Sequence, residues 1–148
     1  MDTFSRDLKA GQIYEEIVLK KIQNKYPLAY KQEGYCKDWD IYVPELSIGV
    51  EVKSDQKSQY TGNIVIEIEF NGKPSALSTT KAQYWVIFDG DHYTWFKVGD
   101  IRRCIKENNL FPAQFVGKGD SKMKTAYLIK KGLLLKYSSM ITPVTNSL

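Results

Sequence analysis

Apolar and polar positions change period several times along the chain, and each change marks an element. Between residues 4 and 25, Phe4, Leu8, Gly11, Glu15, Val18 and Ile22 recur three and four positions apart, which places them on one face of an α-helix. Pro27 cannot continue that helix, so it should end by Tyr26. Beyond the proline the period falls to two. Leu28–Gln32 reads as a weak strand, and Asp40–Val43, Ile48–Lys53, Asn63–Phe70, Tyr84–Phe88 and Tyr93–Val98 as clearer ones. In the longest, Ile64, Ile66, Ile68 and Phe70 alternate with Val65, Glu67 and Glu69, so a central-looking strand carries two acids on one face. Asp89-Gly90-Asp91 is a hairpin turn between two of these strands. Gly99-Asp100 should cap a helix through Glu107, with Ile101, Cys104 and Ile105 inward and Asn108-Asn109 at its end. A loop containing Gly117-Lys118-Gly119-Asp120 then precedes a last strand, Ala126–Ile129, and an apolar segment, Gly132–Leu135, that is a strand or a helix turn.

The order of helix, about five strands, helix and strand predicts an α/β or α+β sheet with a helix on at least one face. No repeat, low-complexity tract or linker interrupts it, and 148 residues suit one domain spanning 1–148.

Composition removes several classes. Apolar residues at 43% and charged residues at 26% exclude a disordered chain. One histidine, His92, and two cysteines, Cys36 and Cys104, are too few N and S ligands for zinc ribbons or two-histidine hydrolases. Any metal would therefore sit on oxygen ligands. The cysteines lack C-x-x-C spacing and read as buried thiols of a reducing compartment. No apolar leader follows Met1 and no run approaches the roughly 20 residues of a membrane span. The expectation is a soluble protein of the cytoplasm of a bacterial or phage-infected host cell, with no membrane partner. Residues 1–100 hold 12 Lys/Arg against 15 Asp/Glu, whereas residues 101–148 hold 9 against 2. An acidic body with a basic end suits a phosphate-binding protein with a metal site, and equally a lysine-rich solvated surface.

The acids concentrate at one hairpin. Asp40-Ile41-Tyr42-Val43 and Ile48-Gly49-Val50-Glu51-Val52-Lys53 flank Pro44-Glu45-Leu46-Ser47. With Glu45-Leu46 as a two-residue loop, partners sum to 91, which sets Asp40 opposite Glu51. Cross-strand Cβ atoms lie about 5 Å apart and like charges there repel, so such a pair calls for a cation. Lys53 shares the face of Glu51, while Val50 and Val52 face the core. Acid-x-Lys alone is weak evidence, since about two matches arise by chance at this composition. The chain has four, Asp7-Leu-Lys9, Glu51-Val-Lys53, Asp55-Gln-Lys57 and Asp120-Ser-Lys122, of which only Glu51-Val-Lys53 lies in an apolar strand beside another acid.

Asp40, then Glu51-Val52-Lys53, after a helix bearing Gly11-Gln-Ile-Tyr-Glu15, resembles the PD-(D/E)XK nuclease superfamily of restriction enzymes, phage nucleases and junction resolvases. The segments Gly62–Ser75 and Thr80–Val86 look similar to small phage-encoded members, and the resemblance covers residues 8–100. Trp39 stands where the family name implies proline.

The resemblance implies a restriction endonuclease-like core: a mixed central sheet of about five strands flanked by helices. It implies a Mg²⁺-dependent endonuclease acting on DNA, with Mn²⁺ as a substitute. Asp40 and Glu51 would bind the metal with the Val52 carbonyl, Lys53 would act on the attacking water, and Glu15 matches the family's helix glutamate. Asp38 is an alternative to Asp40, and Glu15 could instead pair with Lys81 or another base. Lys81 falls where relatives place a polar helix start near the phosphate, and Glu67 is an accessory candidate. Lys118, Lys122, Lys124, Lys130 and Lys131 are candidate phosphate contacts, which position nucleic acid without reading bases. Tyr60, Tyr93 and Trp95 could stack on bases but more readily fill a core, and His92 reads as surface. One site cuts one strand, so a homodimer or higher homo-oligomer is expected. The competing class is a non-catalytic nucleic-acid-binding or assembly protein that keeps the fold as scaffold.

Overall fold

The computed structural model describes residues 3–34, 38–117 and 121–139, with the side chains of 3–8 outside that description. Helix α1 spans Thr3–Gln23 and ends earlier than the proline requires, in a turn where the Tyr26 amide still bonds Ile22. Its buried residues Val18, Leu19 and Ile22 meet Ile41, Val43, Val50, Val86 and Trp95 in one of two hydrophobic clusters.

Those partners belong to a five-stranded sheet: β1 (Tyr30–Lys31), β2 (Ile41–Val43), β3 (Ile48–Ser54), β6 (Tyr84–Phe88) and β7 (Tyr93–Lys97), in that spatial order. Only β3 and β6 run parallel, so the sheet is mixed. The expected hairpin register holds: Ile41, Tyr42 and Val43 pair with Val50, Gly49 and Ile48. Gly49 is required here, because a Cβ at that position would collide with the Trp39 indole stacked over it.

The second face of this sheet carries Trp85, Ile87 and Phe96 into the other cluster, whose partners include Ile64, Ile66, Ile129 and Leu134. These come from an unexpected second sheet. β4 (Asn63–Phe70), anticipated in the central sheet, instead lies between β5 (Lys73–Pro74) and β9 (Met123–Lys130), with β8 (Ala113–Val116) at the far edge. Period-two alternation states which face of a strand is buried and not which sheet it joins. Glu67 and Glu69 sit astride a register shift against β9, so they do not share a regular ladder.

Three helices complete the described fold: α2 (Ser58–Thr61), α3 (Val98–Glu107) and α4 (Lys131–Leu135). α3 buries Ile101 and Cys104, with Ile105 packed alongside, and Asn108 closes its end by donating to the Cys104 carbonyl. Lys97, rather than Gly99-Asp100, occupies its N-cap. Gly132–Leu135 resolves as helix. No polar helix begins at Ser78–Lys81; a single 3-10 turn, Ala76–Ser78, precedes β6. Thus the path from β3 to parallel β6 runs through β4 and β5 rather than through a long helix. Burial of aliphatic side chains in two clusters, at about 1.5–3 kcal/mol each, fixes this layered α/β arrangement.

Candidate active site

β3 positions Glu51 and Lys53 on the face opposite α1, because Val50 between Gly49 and Glu51 is packed against the helix. The Lys53 ammonium lies 3.0 Å from Glu51 Oε2 and 4.9 Å from the centre of the Trp85 ring, whose residue is the parallel-strand partner of Glu51. Trp85 thus supports the lysine from below by cation–π attraction. Glu51 Oε2 is sealed from water and makes no directed hydrogen bond; its contact with Lys53 is ionic. The cation that this buried oxygen meets is the Lys53 ammonium.

Asp40 sits just before β2 and brackets Glu51 through the backbone. Its amide donates to the Val50 carbonyl at 3.0 Å, and its Oδ2 accepts the Val52 amide at 2.7 Å. The regular ladder ends at Ile41–Val50, so Asp40 is not registered opposite Glu51 as the spacing predicts; its carboxylate instead satisfies a β3 amide where β2 has stopped.

Glu51 and Lys53 open into a cavity of about 310 Å³ that Asp38, Thr79, Thr80 and Lys81 also line. Lys81 is largely exposed and lies 3.6 Å from Asp38, so the structure brings together Glu51, Lys53, Lys81 and the alternative acid Asp38. Glu15 is placed differently. It lies 4.0 Å from Lys31 of β1, which also pairs with Glu16 at 3.2 Å, on the side of the sheet that packs on α1. The base beside it is Lys31, not Lys81.

On the other side of Lys53 a wider cleft of about 590 Å³ separates the end of β3 from β4. Asp55, Lys57, Glu67 and Lys124 line it. Glu67 accepts the Ser75 hydroxyl at 2.7 Å and lies 3.6 Å from Lys124. Asp55 Oδ2 accepts the Val65 amide at 2.8 Å. Burial pushes the Asp55 carboxyl above its ordinary pKa, against the pull of the Val65 and Ser58 amides and of Lys57 and Lys124. Asp55 was the residue sequence reasoning passed over, although Asp55-Gln-Lys57 repeats the acid-x-Lys pattern four positions after Glu51. Its contact is with backbone, which no side-chain spacing reveals.

The basic end disperses. Lys122 and Lys130 are exposed, Lys124 belongs to the wide cleft, and Lys118 lies outside the described residues. Lys131 is engaged within the fold: its ammonium is 2.8 Å from Oδ2 of the buried Asp89. Trp95 is buried in the core, Tyr93 is half-buried, and Tyr60 is 89% exposed. Cys104 is a buried free thiol whose pKa burial raises; Cys36 lies outside the described residues. No described helix is long and apolar enough to cross a membrane.

Among the described residues no group of three or more His, Cys, Asp or Glu side chains converges on one point. Asp40, whose Oδ2 is taken by the Val52 amide, does not line the cavity with Glu51; a Mg²⁺ held by these two carboxylates would keep several waters and take the rest of its shell from phosphate oxygens. Comparison with protein-family models, curated proteins and solved structures returns no match.

Proposed function

We propose that the protein is a metal-dependent endonuclease that hydrolyses DNA phosphodiester bonds, built on a restriction endonuclease-like core. The observation that carries this reading is the Glu51–Lys53 pair, 3.0 Å apart at the wall of a cavity, with Asp40 bonded to the amide between them. Asp40, Glu51 and the Val52 carbonyl would hold Mg²⁺, or Mn²⁺ in its place. The ion would polarise the phosphoryl group and lower the pKa of a bound water. Lys53 is held by Trp85 and Glu51 in a fixed position, from which its ammonium orients the water and offsets charge developing on the phosphate. Lys81, at the open rim, attracts the neighbouring phosphate. Glu15 stabilises the α1 side of the sheet through Lys31 rather than touching the substrate. A homodimer would supply the second site needed to cut both strands.

Incubation of plasmid, linear duplex and four-way junction with Mg²⁺, Mn²⁺ or EDTA tests the proposal. Cleavage of at least one substrate with metal and none with EDTA is expected. Lys53→Ala should bind DNA nearly as wild type while cleavage falls about 10²-fold or more. Equal losses of binding and cleavage would remove Lys53 from the chemistry. Binding without cleavage of any of the three substrates would favour the scaffold reading instead.

A further inference from the structure

The geometry points to the wide cleft beside Lys53 as a pocket for one unpaired nucleotide next to the scissile phosphate, so that the preferred DNA has single-stranded or branched character. This rests on the nuclease reading and specifies its substrate class. Position, shape and charge carry it.

The cleft adjoins the candidate active site, since Lys53 and Ala76 line both spaces. A nucleotide in the cleft would therefore hand its phosphate to Glu51 and Lys53. Its volume, about 590 Å³, lies in the range of small-ligand sites. Its floor is Ile64 and Ile66 of one sheet and Trp85 and Ile87 of the other, all buried, so it is a wedge between two sheets. The opening above these packed side chains suits a flat base; a duplex, whose major groove alone is about 12 Å wide, does not enter such a wedge. Extruded bases are held by apolar and aromatic walls with polar groups at their edges, and Phe115 and Gln56 supply both kinds here.

Charge agrees with a single phosphodiester. Lys53 is held by Glu51 and Lys124 by Glu67, which leaves the exposed Lys57 to meet a phosphate at the cleft. Lys57 lines the cleft and is exposed, and Tyr60, one turn further along α2 with its amide bonded to the Lys57 carbonyl, is 89% exposed. An exposed tyrosine one turn from a lysine offers a stacking platform for the next base along the strand.

The test is equilibrium binding in EDTA, where no cleavage interferes, using one labelled duplex with and without a six-nucleotide single-stranded tail. Wild type should prefer the tailed duplex by about tenfold, the value of one or two stacked bases. The double substitution Lys57→Ala with Tyr60→Ala removes two exposed side chains and should leave folding intact. It should bring that preference to threefold or less, with blunt-duplex affinity within twofold of wild type. Phe115→Ala, its fold checked by circular dichroism, should do the same from inside the cleft. Equal wild-type affinity for the two DNAs, or equal weakening of both by the double substitution, would overturn the pocket. Because the readout is metal-free binding, a protein that never cleaves but shows the preference sinks the nuclease reading alone. A protein that cleaves without the preference sinks the pocket alone.

Discussion

Replacing Lys131 with methionine separates a structural lysine from a DNA-binding one. Lys131 begins α4, and its ammonium meets Asp89 Oδ2 at 2.8 Å, while Asp89 Oδ1 accepts the amides of Asp91 and His92, each at 2.8 Å. The Asp89 side chain is 5% exposed and that of Lys131 28%, so the pair joins the β6–β7 turn to the second sheet in a largely dry place. Breaking a fully buried pair costs about 3–5 kcal/mol, and an exposed one about 0–1. With one partner part-exposed and two amide donors retained, about 2 kcal/mol is expected, or about 4–8 °C in melting temperature for a domain of this size. Burial alone would raise the Asp89 carboxyl, but the Lys131 hydrogen bond, the His92 and Asp91 amides and the Lys131 charge outweigh it and hold the pKa below its ordinary value. A depressed carboxyl adds stability above its unfolded pKa of about 3.9 and loses it as pH falls through the folded value. The gap between wild type and Lys131→Met should thus be full at neutral pH and shrink below about pH 4. Thermal melts across pH, paired with DNA affinity against salt, decide the matter. An unchanged melting temperature, with a salt slope flatter by about 0.9, would show that Lys131 neutralises a phosphate and that the clamp is immaterial.

Two further substitutions probe the carboxylates beside Lys53. Asp40→Ala should cost about 1–2 kcal/mol in denaturant unfolding by orphaning the Val52 amide, whereas Asp40→Asn should stay within about 0.5 kcal/mol, since its carbonyl can accept the same donor. Equal losses in the two variants would show that the Val52 bond contributes nothing. Asp55→Asn should melt at or above wild type at neutral pH, because a carboxyl with a raised folded pKa weakens the fold when ionised. Its advantage should fade as pH falls through that raised value, and a variant less stable at pH 7 would mean that the ionised carboxylate is needed.

Where pattern and local geometry coincide, the sequence was readable. Strands Asn63–Phe70 and Tyr84–Phe88 begin and end where the alternation places them, and the turn at Glu45-Leu46 sets the hairpin register from spacing alone. What stayed hidden depends on distant partners. Ala113–Val116 is too short and mixed to read as a strand until β9 is beside it. The excursion between β3 and β6 resembled a route to a helix, yet the apolar face of β4 finds its cover on Trp85 and Ile87 and forms a second sheet instead. Lys131 looked like part of a basic tail because Asp89, its partner, is 42 positions away.

The two acids flanking Lys53 perform one physical task at two strand edges. β2 pairs with β3 only as far as Val50, and the next outward amide, that of Val52, is taken by Asp40. β5 covers β4 only at Glu69 and Phe70, and near its start the Val65 amide is taken by Asp55. A buried amide without an acceptor costs about 1–3 kcal/mol, so a carboxylate that stands in for the missing strand is favoured on structural grounds alone. The same substitution leaves a space where the strand would have run, and negative charge at its wall. The wide cleft, lined by both Asp55 and Val65, is such a space, and Lys53 borders it and the narrower cavity beside Glu51. Strand ends that fall short of their neighbours therefore place Asp40 and Asp55 on either side of Lys53 for structural reasons, whichever chemistry the lysine serves.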